Sequence, residues 1–149
     1  MRLQLSTNSN IHNILQIIND AKLYLKSKEI DQWQHGYPNK SQIEKDIANN
    51  ESYVLINDAN QVIATSMFSI RPEPTYKVID GEWKIKESEK YGVIHRLAIH
   101  KNHRKKGIAS HILNEFHQLL NKQQIRSLKI DTHEDNHEMQ YLVKKLGYV

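Results

Sequence analysis

The stretch Val93-Ile94-His95-Arg96-Leu97-Ala98-Ile99-His100-Lys101-Asn102-His103-Arg104-Lys105-Lys106-Gly107-Ile108-Ala109-Ser110-His111-Ile112-Leu113-Asn114 decides the fold. Val93, Ile94, Leu97, Ala98 and Ile99 read as a buried strand, and Ile108, Ile112, Phe116, Leu119 and Leu120 recur at helical spacing. A basic turn lies between them. The first amide N–H groups of a helix have no partner inside it, and its dipole favours a nearby anion by about 0.3–1 kcal/mol. Arg104, Lys105 and Lys106 add positive charge there, and Gly107, with no Cβ, lets a ligand approach the backbone. Strand, basic turn and helix together make a phosphate site.

Toward the N-terminus, residues 53–56 and 62–68 are apolar runs flanking Asn57-Asp58-Ala59-Asn60, which is turn chemistry for a hairpin. Pro72 and Pro74 end the second run, and a polar connection carrying Gly81 and an isolated Trp83 leads to Tyr91. Leu3 and Leu5 suggest a first strand. Ile11, Ile14, Leu15, Ile18, Ala21 and Leu25 mark an amphipathic helix capped near Thr7 or Asn8, and a second short helix follows Pro38. Toward the C-terminus, residues 127–131 read as a strand, and the helix after Asn136 carries an apolar stripe of Met139, Leu142, Val143 and Leu146. A hairpin followed by alternating strands and helices gives a mixed α/β class, with antiparallel and parallel pairing in one sheet.

At 149 residues one core is the economical reading, so residues 1–149 are expected to form one domain. No apolar run approaches the ~20 residues of a membrane span, and Met1-Arg2-Leu3-Gln4-Leu5 reads as a strand start, so a cytoplasmic location is expected. The chain has no cysteine, which excludes disulfides, a cysteine nucleophile and thiolate metal sites. A formal charge of +4 favours anionic partners in general.

Arg104-Lys105-Lys106-Gly107-Ile108-Ala109 matches Arg/Gln-x-x-Gly-x-Gly/Ala, and the chain thereby resembles the GNAT superfamily of N-acetyltransferases. Leu97-Ala98-Ile99 stands where the family strand ends in Leu-Ala-Val/Ile, and Asn136 through Leu146-Gly147-Tyr148 is similar to the family's Asn-led helix ending in Leu-Gly-Phe/Tyr. Asp31-Gln32-Trp33-Gln34-His35-Gly36-Tyr37-Pro38 is similar to a bacterial subgroup with a Trp-Gln-x-Gly-Tyr-Pro segment. The resemblance implies a twisted, mostly antiparallel sheet with a splayed parallel strand pair and helices on both faces. It implies acetyl-coenzyme A as co-substrate, no metal, and an amine acceptor on a small molecule, amino acid or peptide. Leu97 and Ile99 with Ala98 would border the pantetheine arm, Arg104, Lys105, Lys106, Gly107, Ile108, Ala109 and Ser110 would hold the pyrophosphate, and Asn136 would approach the coenzyme arm or cap its helix. Gly147-Tyr148-Val149 would ordinarily lead into a further strand. The open edge left here suggests homodimerisation, or truncation with impaired substrate binding.

Direct attack needs a base for the amine, and an acid can protonate the departing thiolate. Asp131 stands where one family branch carries its base, and His95 and His133 are the rivals, the ordinary imidazole pKa near ~6.5 suiting proton acceptance. The family acid position is Val143, and Tyr141 is turned by about 200° from it on the helix. Trp33 and Tyr37 are candidates to wall the acceptor or to anchor a loop, whereas Glu73, Glu134 and Asp135 could draw a cationic amine. His133-Glu134-Asp135-Asn136-His137 matches the His-Glu-x-x-His zinc string, but its first histidine precedes the expected helix, so the two would not share a face. The alternatives are a nucleic-acid-binding basic domain and a catalytically impaired coenzyme-binding module, but few aromatics interleave with the basic residues.

Overall fold

The structure, a computed structural model, describes residues 1–71 and 90–148. The expectations for Pro72, Pro74, Glu73, Gly81, Trp83 and Val149 lie outside the described residues. Strand β1 (Arg2–Leu5) pairs antiparallel with β2 (Ser52–Ile56), which pairs antiparallel with β3 (Val62–Ser69). Strand β3 pairs antiparallel with β4 (Gly92–Ile99), which pairs in parallel with the three-residue β5 (Leu128–Ile130). The sheet order is therefore β1-β2-β3-β4-β5.

Helices α1 (Ile11–Ser27) and α2 (Lys40–Ala48) cover one face of the sheet, and α3 (Ile108–Lys122) and α4 (His137–Lys145) cover the other. The alternation of β2 shows why both faces can be filled. Val54 and Ile56 pack with Ile14, Ile17, Ile18 and Ile43, while Leu55 between them packs with Ile112, Leu113 and Phe116. A 3₁₀ turn (Asn8–Asn10) intervenes before α1, and the Asn10 side chain accepts from the Thr7 N–H at 2.8 Å. Asn39 caps α2 by accepting from the Gln42 N–H at 2.9 Å, and Asn57 closes the β2–β3 turn by accepting from the Gln61 N–H at 2.9 Å.

In α4 the expected apolar stripe divides. Leu142 and Leu146 join the α3 side of the core, Val143 is half-buried, and Met139 borders a cleft instead. Aromatic stacking fixes the centre of that core, with the Phe68 and Phe116 rings 4.3 Å apart and nearly parallel. Gly92 passes so close to this cluster that a Cβ would meet Leu120 Cδ2 at 2.9 Å and Phe68 Cε1 at 3.0 Å.

Phe116→Ala is expected to lower unfolding free energy by about 3–5 kcal/mol, read from urea denaturation, because it removes a fully buried ring. A pH effect is expected at the α3–α4 contact, where His117 Nε2 and Tyr148 Oη are hydrogen-bonded at 2.6 Å. Burial lowers the His117 pKa and pushes Tyr148 up to about 12. The folded chain then binds fewer protons than the unfolded one below the ordinary histidine value near ~6.5. Stability is whole above that pH and falls as the pH drops through the folded value. His117→Gln should flatten this limb in urea midpoints measured from about pH 8 to pH 5.

Candidate active site

Strands β4 and β5 pair only through Gly92–Leu128, Val93–Lys129 and Ile94–Ile130, whereas β4 runs on beside β3 to Ile99. A cleft of about 700 Å³ opens where the two strands part. One inserted residue shapes this point. Thr65 pairs with Ala98 and Met67 with His95, so two steps on β3 span three on β4 and Arg96 sits in a bulge. Its φ of 55° is left-handed, a conformation that costs a non-glycine residue about 1–2 kcal/mol. The bulge also resets the pleat, because Ile94 and Leu97, three apart, pack on the same α3 side.

The bulge aims Arg96 toward α2. Its Nε and Nη2 donate to Asp46 Oδ2 and Oδ1 at 2.7 and 2.8 Å, and its Nη1 donates to Tyr37 Oη at 2.5 Å. Only 8% of the Arg96 side chain and 5% of that of Asp46 are exposed. Burial by itself would lower the guanidinium pKa, but the hydrogen bonds and charge of Asp46, with Tyr37, outweigh it and raise the value. Tyr37 accepts this bond, which leaves its own O–H as a donor. Helix α2 lines the same cleft with Gln42, Lys45, Asp46 and Asn49, the i, i+3, i+4, i+7 positions of one helical face.

All three candidate bases border the cleft. His95 Nδ1 lies 3.3 Å from Asp131 Oδ1, with 17% of the histidine side chain exposed and 65% of that of the aspartate. His133 Nδ1 accepts from the Asp135 N–H at 3.1 Å. Thr132 Oγ1, also on the cleft, is shielded from solvent and makes no hydrogen bond. Trp33, at a left-handed φ of 64°, packs against the α1–α2 core and borders the cleft. Asn136 caps α4 by accepting from the Met139 N–H at 3.2 Å, and it donates to Gln32 Oε1 at 2.8 Å. Glu134 and Asp135 are exposed and do not line the cleft.

The basic turn is reached through a 3₁₀ turn (Lys101–His103). Gly107 has φ 76°, and no atom lies within 4 Å of where its Cβ would be. The glycine is thus required first by its backbone conformation, with open space beside it. No side chain caps the first turn of α3, and that turn holds no acidic residue. Arg104 stacks over the Tyr24 ring at 4.6 Å, and its Nη2 is shielded from solvent without a hydrogen-bond partner. The Tyr24 O–H donates to Glu138 Oε1 at 2.5 Å, which ties α1 to the turn and to α4. That bond, with burial, raises the Tyr24 pKa. Leu97 borders the cleft, whereas Ala98 is buried beneath α1 and Ile99 packs on the α3 side.

The family described as Acetyltransferase (GNAT) family matches residues 13–148. The chain belongs to the GNAT acetyltransferase family. It is an N-acetyltransferase of a family that uses acetyl-coenzyme A. A GNAT acetyltransferase of Streptococcus agalactiae superposes with a TM-score of 0.86 at 28% identity, covering 99% of this chain and 84% of that one. A Listeria monocytogenes member gives 0.80 at 15%, covering 98% and 84%. A predicted acetyltransferase of Clostridium acetobutylicum, solved with acetyl-coenzyme A, gives 0.64 at 18%, covering 99% and 89%. These last two likenesses show the fold alone. No curated protein matches the sequence significantly.

In this GNAT acetyltransferase the zinc string is divided by the α4 cap, His133 lying before Asn136 and His137 opening the helix. No helix among the described residues is long and apolar enough to cross a membrane. Tyr141 is 70% exposed and does not border the cleft. Sequence reasoning missed Lys45, Asp46, Arg96, Tyr24 and Thr132. The polar stripe of α2 and a charged residue inside the apolar β4 were the available signals.

Asp46→Ala should cost about 3–5 kcal/mol in urea denaturation, because it leaves the Arg96 cation buried and uncompensated. Asp46→Leu combined with Arg96→Met should recover most of that loss, as a buried ion pair adds little over a well-packed apolar pair.

Proposed function

We propose that this enzyme moves the acetyl group of acetyl-coenzyme A to a primary amine of a small molecule, amino acid or peptide by direct attack in the cleft. The observation that carries this reading is the His95–Asp131 pair, 3.3 Å apart where β4 and β5 separate. When bound, the co-substrate supplies a thioester whose C–S bond breaks as the C–N bond to the amine forms, leaving the coenzyme as its thiol. The uncapped first turn of α3 and the cations Arg104, Lys105 and Lys106 suit its phosphates. The shielded, unpartnered Arg104 Nη2 supports that fit, since a buried guanidinium N–H without an acceptor is costly. The β4 backbone at Leu97 and Ile99, beyond its pairing with β5, suits an extended pantetheine arm, and Asn136 donates to the cleft residue Gln32.

His95 takes the amine proton, and Asp131 orients the imidazole and stabilises its charged form. His133 is the second candidate, with Nδ1 already engaged by its own turn. Tyr37 holds the proton that a leaving thiolate needs, its oxygen being occupied as the acceptor of the Arg96 N–H. It fills the role for which Val143 has no chemistry.

Calorimetric titration with acetyl-coenzyme A at low and moderate salt, with ATP and a DNA oligomer as controls, should give saturable binding that persists in salt. Absence of binding, or DNA binding that collapses with salt, overturns the reading. His95→Ala should lower kcat about 10²–10⁴-fold while leaving that binding intact. Tyr37→Phe should lower kcat less for acyl donors with better leaving groups, a dependence that a merely structural tyrosine would not show.

A further inference from the structure

We infer that the acceptor carries an anionic group, in its simplest form a carboxylate, beside the amine that it presents to His95. The inference rests on the acetyl-transfer reading and goes on to name the class of acceptor. The α2 wall of the cleft is built of donors. Lys45 on α2 and Asn49, its C-cap one turn further on, both line the cleft, and their side chains make no hydrogen bond or ion pair with any described residue. Arg96 uses three of its N–H donors on Asp46 and Tyr37, which leaves two of the five that a guanidinium has.

The carboxylates beside this wall are already engaged. Both Asp46 oxygens receive Arg96, and Oδ1 also receives the Gln42 amide at 2.9 Å. Glu51, next to the cleft residue Arg71, is held by it through both oxygens at 2.8 and 3.0 Å. The remaining lining carboxylate, Asp131, lies beside His95. Among the described lining residues, Lys45, Arg71 and Arg96 thus face two carboxylates, both with partners.

A second ammonium on the acceptor would meet Lys45, and the described lining carboxylates, Asp46 and Asp131, already have partners. A carboxylate would meet an ammonium, an amide N–H₂ and the spare guanidinium donors, the set that makes short charge-assisted hydrogen bonds. The cleft therefore selects a small zwitterionic or anionic amine and rejects polycations. The rejection is as specific as the attraction, because like charges brought together in a cleft cannot be solvated apart.

The test begins with acetyl-coenzyme A binding by calorimetry, then measures thiol release at saturating acetyl-coenzyme A for matched acceptors. The pairs are alanine against alaninamide, 4-aminobutyrate against butylamine, and O-phosphoethanolamine against ethanolamine, with spermidine as the polycation. The expected result is a kcat/KM at least tenfold higher for the anionic member of a pair. Lys45→Ala should raise KM for that acceptor about tenfold and weaken its calorimetric binding to match, with kcat and acetyl-coenzyme A affinity held. Lys45→Glu should move the preference toward spermidine. A preference for phosphoethanolamine over the carboxylates keeps the anionic class and assigns phosphate as the group. Equal efficiency within pairs, preference for spermidine in the unaltered protein, an unchanged KM in Lys45→Ala, or no turnover and no binding of any anionic acceptor overturns the inference while leaving acetyl-transfer intact. Failure to bind acetyl-coenzyme A in the first step overturns the reading beneath it instead.

Discussion

The cleft depends on the ion pair between Arg96 and Asp46. A left-handed arginine in a strand is unfavourable by itself, and so is a buried guanidinium. Each is tolerated because the other is present: the bulge aims the side chain at α2, and the bidentate Asp46 compensates the charge that the bulge buries. The same insertion brings Leu97 back to the α3 core while His95 borders the cleft. Without it the strand would keep its alternation, and the apolar and polar residues beyond Ile94 would exchange faces.

The turn before α3 and the α2 wall of the cleft differ in electrostatic design. At the turn before α3 the positive charge is dense, beside uncapped backbone amides and a left-handed glycine. On the α2 wall Asp46 compensates Arg96, and among the described residues Lys45 is left exposed near the Asn49 amide. Dense positive charge draws polyanions over distance, whereas a single cation acts mainly at contact. Tyr24 links the first region to α4, stacking on Arg104 while it donates to Glu138. The turn and the helix that flank the opening are in this way held by one side chain of α1.

Much of the fold was legible in the sequence because it rests on local periodicity. The strand–turn–helix from Val93 onward, the 57–60 hairpin turn, the short helix after Pro38 and the Asn136 cap all follow from spacing and side-chain chemistry within a few residues. The basic turn before α3 was equally local, as was the position of His133 ahead of α4, since both depend on where one helix begins. The α4 stripe was read only in part, because periodicity names a face and not its neighbour: Leu142 faces the core, but Met139 borders the cleft.

The sequence by itself determined the class of sheet, the basic turn ahead of α3 and a short set of candidate bases, because each is written in residues close together along the chain. The parallel docking of β5 beside β4 decided that Asp131 lies beside His95. Only tertiary structure could supply Asp46 to Arg96 across 50 positions, and only the bulge could turn a charged strand residue toward it. Pleat alternation is broken there by a single residue, and its effect on the site comes from contacts between elements far apart in sequence.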